Sequence, residues 1–128
     1  MPEAATRHVF VYGTLRRGQV HDINLLRPAP RWVGRGAVAG RLYHIDYYPG
    51  LVLGGSGVVV GEVYAIDAAL ERELDRIEGI EDVACSEYIK RSVAVEVAGR
   101  RLDCLVYEIC AARALGRPVI PGGDWVMR

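Results

Sequence analysis

The sequence lacks both a net charge and a long hydrophobic run. Its 16 basic residues equal its 16 acidic residues, so the formal net charge at neutral pH is zero. Proteins that bind nucleic acids or anionic membranes usually carry a basic excess. No apolar run approaches the roughly 20 residues that a membrane-spanning helix needs. We therefore expect neither a nucleic acid nor a membrane as a partner.

The N-terminal residues lack the pattern of a secretory signal, which is a basic start followed by a long apolar segment. The stretch MPEAATRHVFVYG instead runs directly into the strand-like residues Val9–Tyr12. We therefore expect a cytoplasmic protein.

Paired metal ligands are missing as well. The cysteines form no CxxC pair with zinc-ligand spacing, and no carboxylate lies at a metal-like spacing from any histidine. These residues are Cys85, Cys104 and Cys110, and His8, His21 and His44. We predict reduced, packed thiols, structural or surface roles for the histidines, and no metal site.

The residues that are present predict one globular domain spanning residues 1–128. Hydrophobic residues make up 51% and charged residues 25% of the chain, which is typical of globular proteins. Segments rich in Val, Ile and Tyr between glycine-bearing turns predict strands. The predicted strands are Val9–Tyr12, Arg31–Arg35, Ala37–Ile45, Val58–Ile66, Tyr88–Val97 and Arg101–Ile109.

The order of these elements favours a small barrel or sandwich, because several strands precede any strong helix. The stretch AGRR predicts a hairpin turn between the last two strands. A short helical turn is predicted around Asp22–Leu26. The C-terminal residues, which include two prolines, are expected to form an ordered tail on the domain.

One segment, DAALERELDRIEG, predicts a helix. Asp67 is a plausible N-cap, and Gly79 is a natural residue to end the helix. Leu70, Leu74 and Ile77 follow helical spacing and form one apolar stripe, which we expect to pack on the barrel.

Two glutamates border this stripe, and periodicity alone does not choose between them. Glu78 lies about 70° from the stripe's centre and Glu73 borders the other side. Glu78 also lies in the last turn, where the helix dipole disfavours a carboxylate, and partial burial would disfavour its charge further. Both effects predict a raised pKa, which suits acid–base chemistry near neutrality. The alternative is a solvated glutamate at a helix end.

A second candidate feature is the stretch VYGTLRRG, where a strand ends in a turn. Gly13 would let the backbone turn sharply and leave amides unpaired, and Thr14 adds a hydroxyl. Such amides bind carboxylates or carbonyl oxygens, and Arg16 and Arg17 could add charge. The alternative is a strand followed by a solvated basic turn. A phosphate-binding loop of the GxxxxGK type is excluded, because no glycine–lysine pair follows.

The stretch YHIDYYPGLVLGG, residues 43–55, is aromatic and then rich in glycine. It fits either a flap over a pocket or a strand edge with a turn.

These motifs together resemble the γ-glutamyl cyclotransferase-like family, and they occur in the family's order from residue 8 to about residue 109. They are VFVYGTLRRGQ, YYPGLVLG, VVGEVYAID, LDRIEG, EYIKRSVAV and, less specifically, DCLVYE. The resemblance implies an α+β fold, a small mixed β-barrel with flanking helices. It also implies release of 5-oxoproline from a γ-glutamyl amide, peptide or amine, without a metal or cofactor.

The resemblance also implies roles for individual residues. Glu78 matches the catalytic acid/base, and Tyr88 matches a tyrosine that lines the cavity. Tyr12, Gly13, Thr14 and Leu15 match the substrate-binding loop, in a form similar to the small bacterial and γ-glutamylamine branches. The partner would be a small γ-glutamyl molecule, and the chain a monomer or homodimer. The alternative function is a non-catalytic barrel that binds a small molecule or a protein in the same pocket.

Overall fold

The computed structural model describes residues 7–79 and 87–128, and the strands in this part of the chain close into one mixed barrel. Around the barrel they follow the order β1-β3-β2-β4-β5. The β1–β5 pair is parallel and the other pairs are antiparallel. The strands are β1 (Arg7–Val11), β2 (Arg31–His44), β3 (Pro49–Ile66), β4 (Tyr88–Val97) and β5 (Arg100–Ile109). The predicted small mixed β-barrel is confirmed.

The second and third strands differ from the prediction. The two predicted strands, Arg31–Arg35 and Ala37–Ile45, are joined in the single strand β2, which ends at His44 rather than at Ile45. Its pairing with β3 has register shifts at Trp32/Gly34 and Ala39/Gly40. Strand β3 begins at Pro49 rather than at Val58. The glycines of this segment lower its local strand propensity, but its long antiparallel ladder with β2 overrides that preference.

The predicted hairpin between β4 and β5 is present. Val97 pairs with Arg100 across a two-residue turn, in which Ala98 and Gly99 both have positive φ. Two such residues are typical of the tight turns that match the twist of a hairpin.

The predicted helix is α1, Ala68–Ile77. Asp67 caps it, since its Oδ1 accepts a hydrogen bond of 2.9 Å from the N–H of Leu70. Gly79 follows the helix with φ +71°, a conformation that favours glycine. Leu70 and Leu74 are fully buried, whereas Ile77 is 40% exposed. The stripe therefore packs on the barrel through its first two members.

Two shorter helical elements flank the barrel. A 3-10 turn, Ile23–Leu25, lies within the predicted helical turn, and Asp22 caps it. The second helix, α2 (Ala111–Ala114), follows β5.

The C-terminal residues lie on the barrel, as predicted. His44 donates a backbone hydrogen bond to Pro118, Ile120 donates one to Leu42, and each measures 2.8 Å. Trp125 is only 2% exposed and packs in the core beside β2 and β3 residues. This tail is therefore part of the domain's packing.

Cys104 is buried, Cys110 is partly buried, and both are free thiols. The prediction for Cys85 lies outside the described residues. None of the helices in the described ranges is long and apolar enough to cross a membrane.

Candidate active site

A cavity of about 270 Å³ opens where the end of β1, the end of α1 and the start of β4 meet. All six residues predicted for the site line it: Tyr12, Gly13, Thr14, Leu15, Glu78 and Tyr88. The fold thus brings together residues that lie up to 76 positions apart along the chain.

Glu78 ends helix α1, and its backbone N–H donates to the carbonyl of Leu74 at 2.9 Å. Burial raises the pKa of its carboxyl group, the negative charge of Glu87 raises it further, and together they bring it to about 7. The direction agrees with the sequence-based expectation. The second cause is a neighbouring carboxylate, which that expectation did not include.

Glu73, the other glutamate beside the apolar stripe, has a different environment. It is paired with Arg76, whose Nε donates to Glu73 Oε1 at 3.1 Å. This hydrogen bond lowers the pKa of Glu73. Of the two glutamates that periodicity left undecided, only Glu78 lines the cavity and has a raised pKa.

The turn after β1 offers free hydrogen-bond donors. Its carbonyl groups are occupied: Gly13 accepts from Arg16 N, Thr14 from His21 N and Leu15 from Ile23 N, at 2.8–3.0 Å. The N–H groups of Gly13, Thr14 and Leu15 donate to no acceptor within residues 7–79 and 87–128. The turn therefore presents three consecutive donors, as anion-binding turns do.

The reason for glycine at position 13 differs from the expected one. Gly13 is not among the residues with positive φ, so the turn does not require a left-handed conformation there. A Cβ atom at this position would lie 2.6 Å from Cγ of Pro49, which also lines the cavity. Glycine is needed because the Pro49 ring packs against the backbone.

Neither arginine of this turn lines the cavity, so the idea that they add charge to the pocket is wrong. Arg16 is only 4% exposed and pairs with Glu62 and Asp124. Arg17 lies over the ring of Trp32, with its guanidinium carbon 4.6 Å from the ring centroid. The alternative of a solvated basic turn is therefore also wrong for Arg16.

Two buried tyrosines connect the cavity wall to neighbouring strands. The hydroxyl of Tyr12 donates to the carbonyl of Tyr107 at 2.6 Å, and the hydroxyl of Tyr88 donates to the carbonyl of Pro49 at 2.9 Å. Burial raises the pKa of both phenols. They are therefore neutral near physiological pH.

Sequence reasoning missed several residues of the wall, chiefly Glu87, Tyr48 and Tyr107. The hydroxyl of Tyr48 donates to Oε2 of Glu87 at 2.6 Å. The sequence could have indicated these residues only through the motifs that contain them, which are EYIKRSVAV for Glu87, YYPGLVLG for Tyr48 and DCLVYE for Tyr107.

Of the two alternatives for residues 43–55, a flap or a strand edge with a turn, the structure shows the strand edge with a turn. Pro49–Gly55 belong to β3 and pair with β2 up to Leu53. Tyr47 and Tyr48, in the turn before β3, line the cavity.

No metal cluster accompanies the cavity in the part of the chain that the structure describes, where no three His, Cys, Asp or Glu residues are grouped to hold an ion. The groups that are present can transfer a proton at Glu78 and donate hydrogen bonds from the turn.

Three relatives carry similar sequences or folds. The gamma-glutamylaminecyclotransferase of Bos taurus is 34% identical over 111 residues, which cover 77% of this chain and 63% of the bovine protein. The chain thus spans less than two thirds of that protein's length. The gamma-glutamylcyclotransferase family protein YtfP of Escherichia coli K12 is 30% identical over 127 residues, covering 94% and 96% of the two chains.

Among solved structures, an AIG2-like protein from Mus musculus is similar with a TM-score of 0.72 and 29% identity, over 88% of this chain and 84% of that one. The sequence model described as gamma-glutamyl cyclotransferase, AIG2-like, matches residues 9–127. Because this match includes nearly the whole barrel and its cavity, the chain belongs to the gamma-glutamyl cyclotransferase, AIG2-like family.

Proposed function

We propose that this protein is a γ-glutamyl cyclotransferase that releases 5-oxoproline from a γ-glutamyl amide, peptide or amine. The main support for the proposal is that one cavity contains both a group that can transfer a proton and groups that can donate hydrogen bonds to an anion. The cavity holds a carboxyl group of pKa about 7, Glu78, and, on the turn Gly13–Leu15, three amide donors that have no acceptor among the described residues.

The reaction needs no nucleophile from the protein. The substrate's own α-amine attacks the γ-carbonyl carbon, a new C–N bond closes the five-membered ring, and the C–N bond to the leaving amine breaks. Because the reaction is intramolecular, the first task of the site is to hold the substrate in a near-attack geometry. A cavity lined by buried aromatic side chains, including Tyr12 and Tyr88, suits that task.

Glu78 is the proposed catalytic residue. As a carboxylate it accepts one proton from the substrate's α-ammonium, and as a carboxylic acid it returns this proton to the leaving amine. The ring nitrogen releases its second excess proton to solvent as the lactam forms. A pKa near 7 serves both steps, because the group then gains and loses a proton at similar cost near neutral pH.

The turn amides take the complementary role. The γ-carbonyl oxygen becomes an oxyanion as the amine attacks, and N–H groups that are held in place at the site stabilise such charge without reorganising. The same set of donors can also hold the substrate's carboxylate. We assign both contacts to the group of three amides and not to individual donors.

The leaving amine defines the set of compounds to test. The name of the bovine relative specifies a γ-glutamylamine, so γ-glutamylamines belong in the first set of compounds to test, beside γ-glutamyl peptides and simple γ-glutamyl amides.

The test is product analysis after purified protein is mixed with each compound of this set. Appearance of 5-oxoproline together with an equal amount of free amine supports the proposal. Free glutamate in place of 5-oxoproline would indicate hydrolysis. Ligand binding without any product would support the alternative, a non-catalytic binding barrel.

A further inference from the structure

Arg16 connects three separate parts of the chain behind the turn that bears the free amides. Its Nε donates to Oε2 of Glu62 on β3 at 3.0 Å. Its Nη1 donates to Oδ1 of Asp124 in the C-terminal tail at 2.7 Å. The arginine side chain is 5% exposed. A buried guanidinium therefore joins the turn to the barrel wall and to the tail.

The second oxygen of Glu62 holds the next residue of the turn. Oε1 accepts from the backbone N–H of Arg17 at 2.8 Å and from the hydroxyl of Tyr64 at 2.9 Å. Tyr64 in turn accepts from Nδ2 of Asn24 at 3.2 Å. One carboxylate thus fixes both the side chain of residue 16 and the backbone of residue 17.

Stability alone is a weak explanation for this network. Removing charged groups from water is costly, and well-packed apolar residues often replace a buried ion pair without loss of stability. Buried polar networks do, however, hold a local structure in one arrangement when every member is satisfied. Here every buried side-chain polar atom in the described part of the chain has a partner.

We propose that Arg16 is a positioning residue for substrate binding. By bridging Glu62 and Asp124 it holds the amides of Gly13–Leu15 at the cavity, which makes the C-terminal tail part of the binding apparatus. This inference rests on the proposed function for its kinetic consequences, but the positioning itself can be measured without any substrate.

The test variants change the ability of the planar arginine guanidinium to bind two carboxylates at once. Its two nitrogens reach two carboxylates in a fixed geometry, whereas lysine has the same charge on a single nitrogen. In Arg16→Lys the charge stays and the bridge is lost. Asp124→Ala removes the tail's half of the bridge and leaves the Arg16–Glu62 pair intact.

Glu108→Ala is the matched control. The Glu108 side chain is 13% exposed and Asp124 is 14% exposed. Glu108 accepts from one arginine, Arg91, and from one backbone N–H, that of Leu53, whereas Asp124 accepts from Arg16 and from the backbone N–H groups of Val126 and Met127. Glu108 does not line the cavity. This variant removes an arginine–carboxylate pair and one backbone hydrogen bond elsewhere on the barrel.

The first measurement is the NMR order parameter of the amides of residues 13–15. In wild type and Glu108→Ala we expect values of about 0.85, and in Arg16→Lys and Asp124→Ala values near or below about 0.6, with the other strands unchanged. This readout needs no substrate, so it decides the positioning even if the proposed function fails.

The second measurement is steady-state kinetics with a substrate that yields 5-oxoproline. Misplaced binding groups cost up to about 10²-fold, so kcat/KM should fall by about tenfold or more in both test variants. The pH midpoint of kcat/KM should not move, because Glu78 is unchanged.

Wild-type order parameters at residues 13–15 in both variants would overturn the proposal, and so would a loss of order spread evenly over the chain. If Arg16→Lys does not fold, Asp124→Ala decides alone.

Discussion

The hydroxyl of Tyr48 donates a hydrogen bond of 2.6 Å to the carboxylate of Glu87, and the charge of that carboxylate raises the pKa of Glu78. Burial and the bond to Glu87 in turn raise the pKa of Tyr48 to about 12. Tyr48 is therefore a neutral donor near physiological pH, and two carboxyl groups, those of Glu78 and Glu87, line the cavity.

Glu87→Gln is expected to shift the pH dependence of kcat/KM to lower pH. In wild type, kcat/KM should rise with pH through about 7 as Glu78 ionises. Glutamine keeps an acceptor for Tyr48 but removes a negative charge, so the pKa of Glu78 falls. Because burial is the larger cause of the shift, the midpoint should remain above the ordinary glutamate value. A pH–rate profile tests this, and Glu73→Gln, which contributes nothing to the pKa of Glu78, should leave the midpoint in place.

The stability of the protein should also depend on Glu78. Its pKa in the folded state, about 7, exceeds the ordinary glutamate value of 4.5. Between these pH values the unfolded chain loses the proton first, so wild-type stability falls as pH rises through this window. In Glu78→Gln the side chain at position 78 does not ionise, so this fall in stability with rising pH is absent. One pKa unit corresponds to about 1.4 kcal/mol, so the variant should gain on the order of a few kcal/mol at pH 8 relative to pH 4.

Denaturant unfolding of wild type and Glu78→Gln at several pH values measures this difference. Glu73→Gln should show the opposite sign, because the pKa of Glu73 is lowered by Arg76 and its stabilising contribution is lost as pH falls. If the difference in free energy of unfolding between wild type and Glu78→Gln is the same at every pH, the raised pKa of Glu78 is contradicted.

Gly13→Ala is expected to weaken substrate binding. The added Cβ would lie 2.6 Å from Cγ of Pro49, so either the turn or the Pro49 ring must move, and both line the cavity. The matched control is Gly122→Ala, where a Cβ meets nothing within 4 Å. Calorimetric titration with 5-oxoproline should show weaker binding only for Gly13→Ala; equal affinity in both variants would mean that the contact with Pro49 does not shape the site.

The proposed reaction should need no metal. Wild-type protein treated with a chelator and then dialysed should retain its full rate of 5-oxoproline release. Activity that disappears on chelation and returns with a stoichiometric divalent ion would show that a metal takes part.

The parts of the fold that were predictable from sequence are those that local chemistry decides. Asp67 and Gly79 mark the ends of α1 because capping and left-handed backbone are properties of one residue and its near neighbours. The length of β3 was not predictable in this way, since its glycine-rich first half is a strand only through pairing with β2.

The same distinction applies to the site. The raised pKa of Glu78 follows in direction from its place at a helix end beside an apolar stripe. The contribution of Glu87 does not follow, and its partner Tyr48 is 39 residues away. The burial of Arg16 could not be predicted from its neighbours in sequence, because the two carboxylates with which it pairs lie 46 and 108 residues further along the chain. Contacts of this kind are set by the closed barrel and its tail.

The central claim is that Glu78 transfers the proton. Glu78→Gln keeps the volume of the side chain and removes the proton acceptor, so the barrel should fold and still bind 5-oxoproline. The control is Glu73→Gln, which alters a glutamate of the same helix outside the cavity.

The most direct measurement is kcat for 5-oxoproline release by wild type, Glu78→Gln and Glu73→Gln with the same γ-glutamyl substrate. General acid–base groups typically contribute about 10²–10⁴-fold, so Glu78→Gln should lose at least about 10²-fold in kcat while Glu73→Gln stays near wild type. A folded Glu78→Gln variant that turns over substrate within a few-fold of wild type would contradict the assignment of Glu78 as the catalytic acid/base.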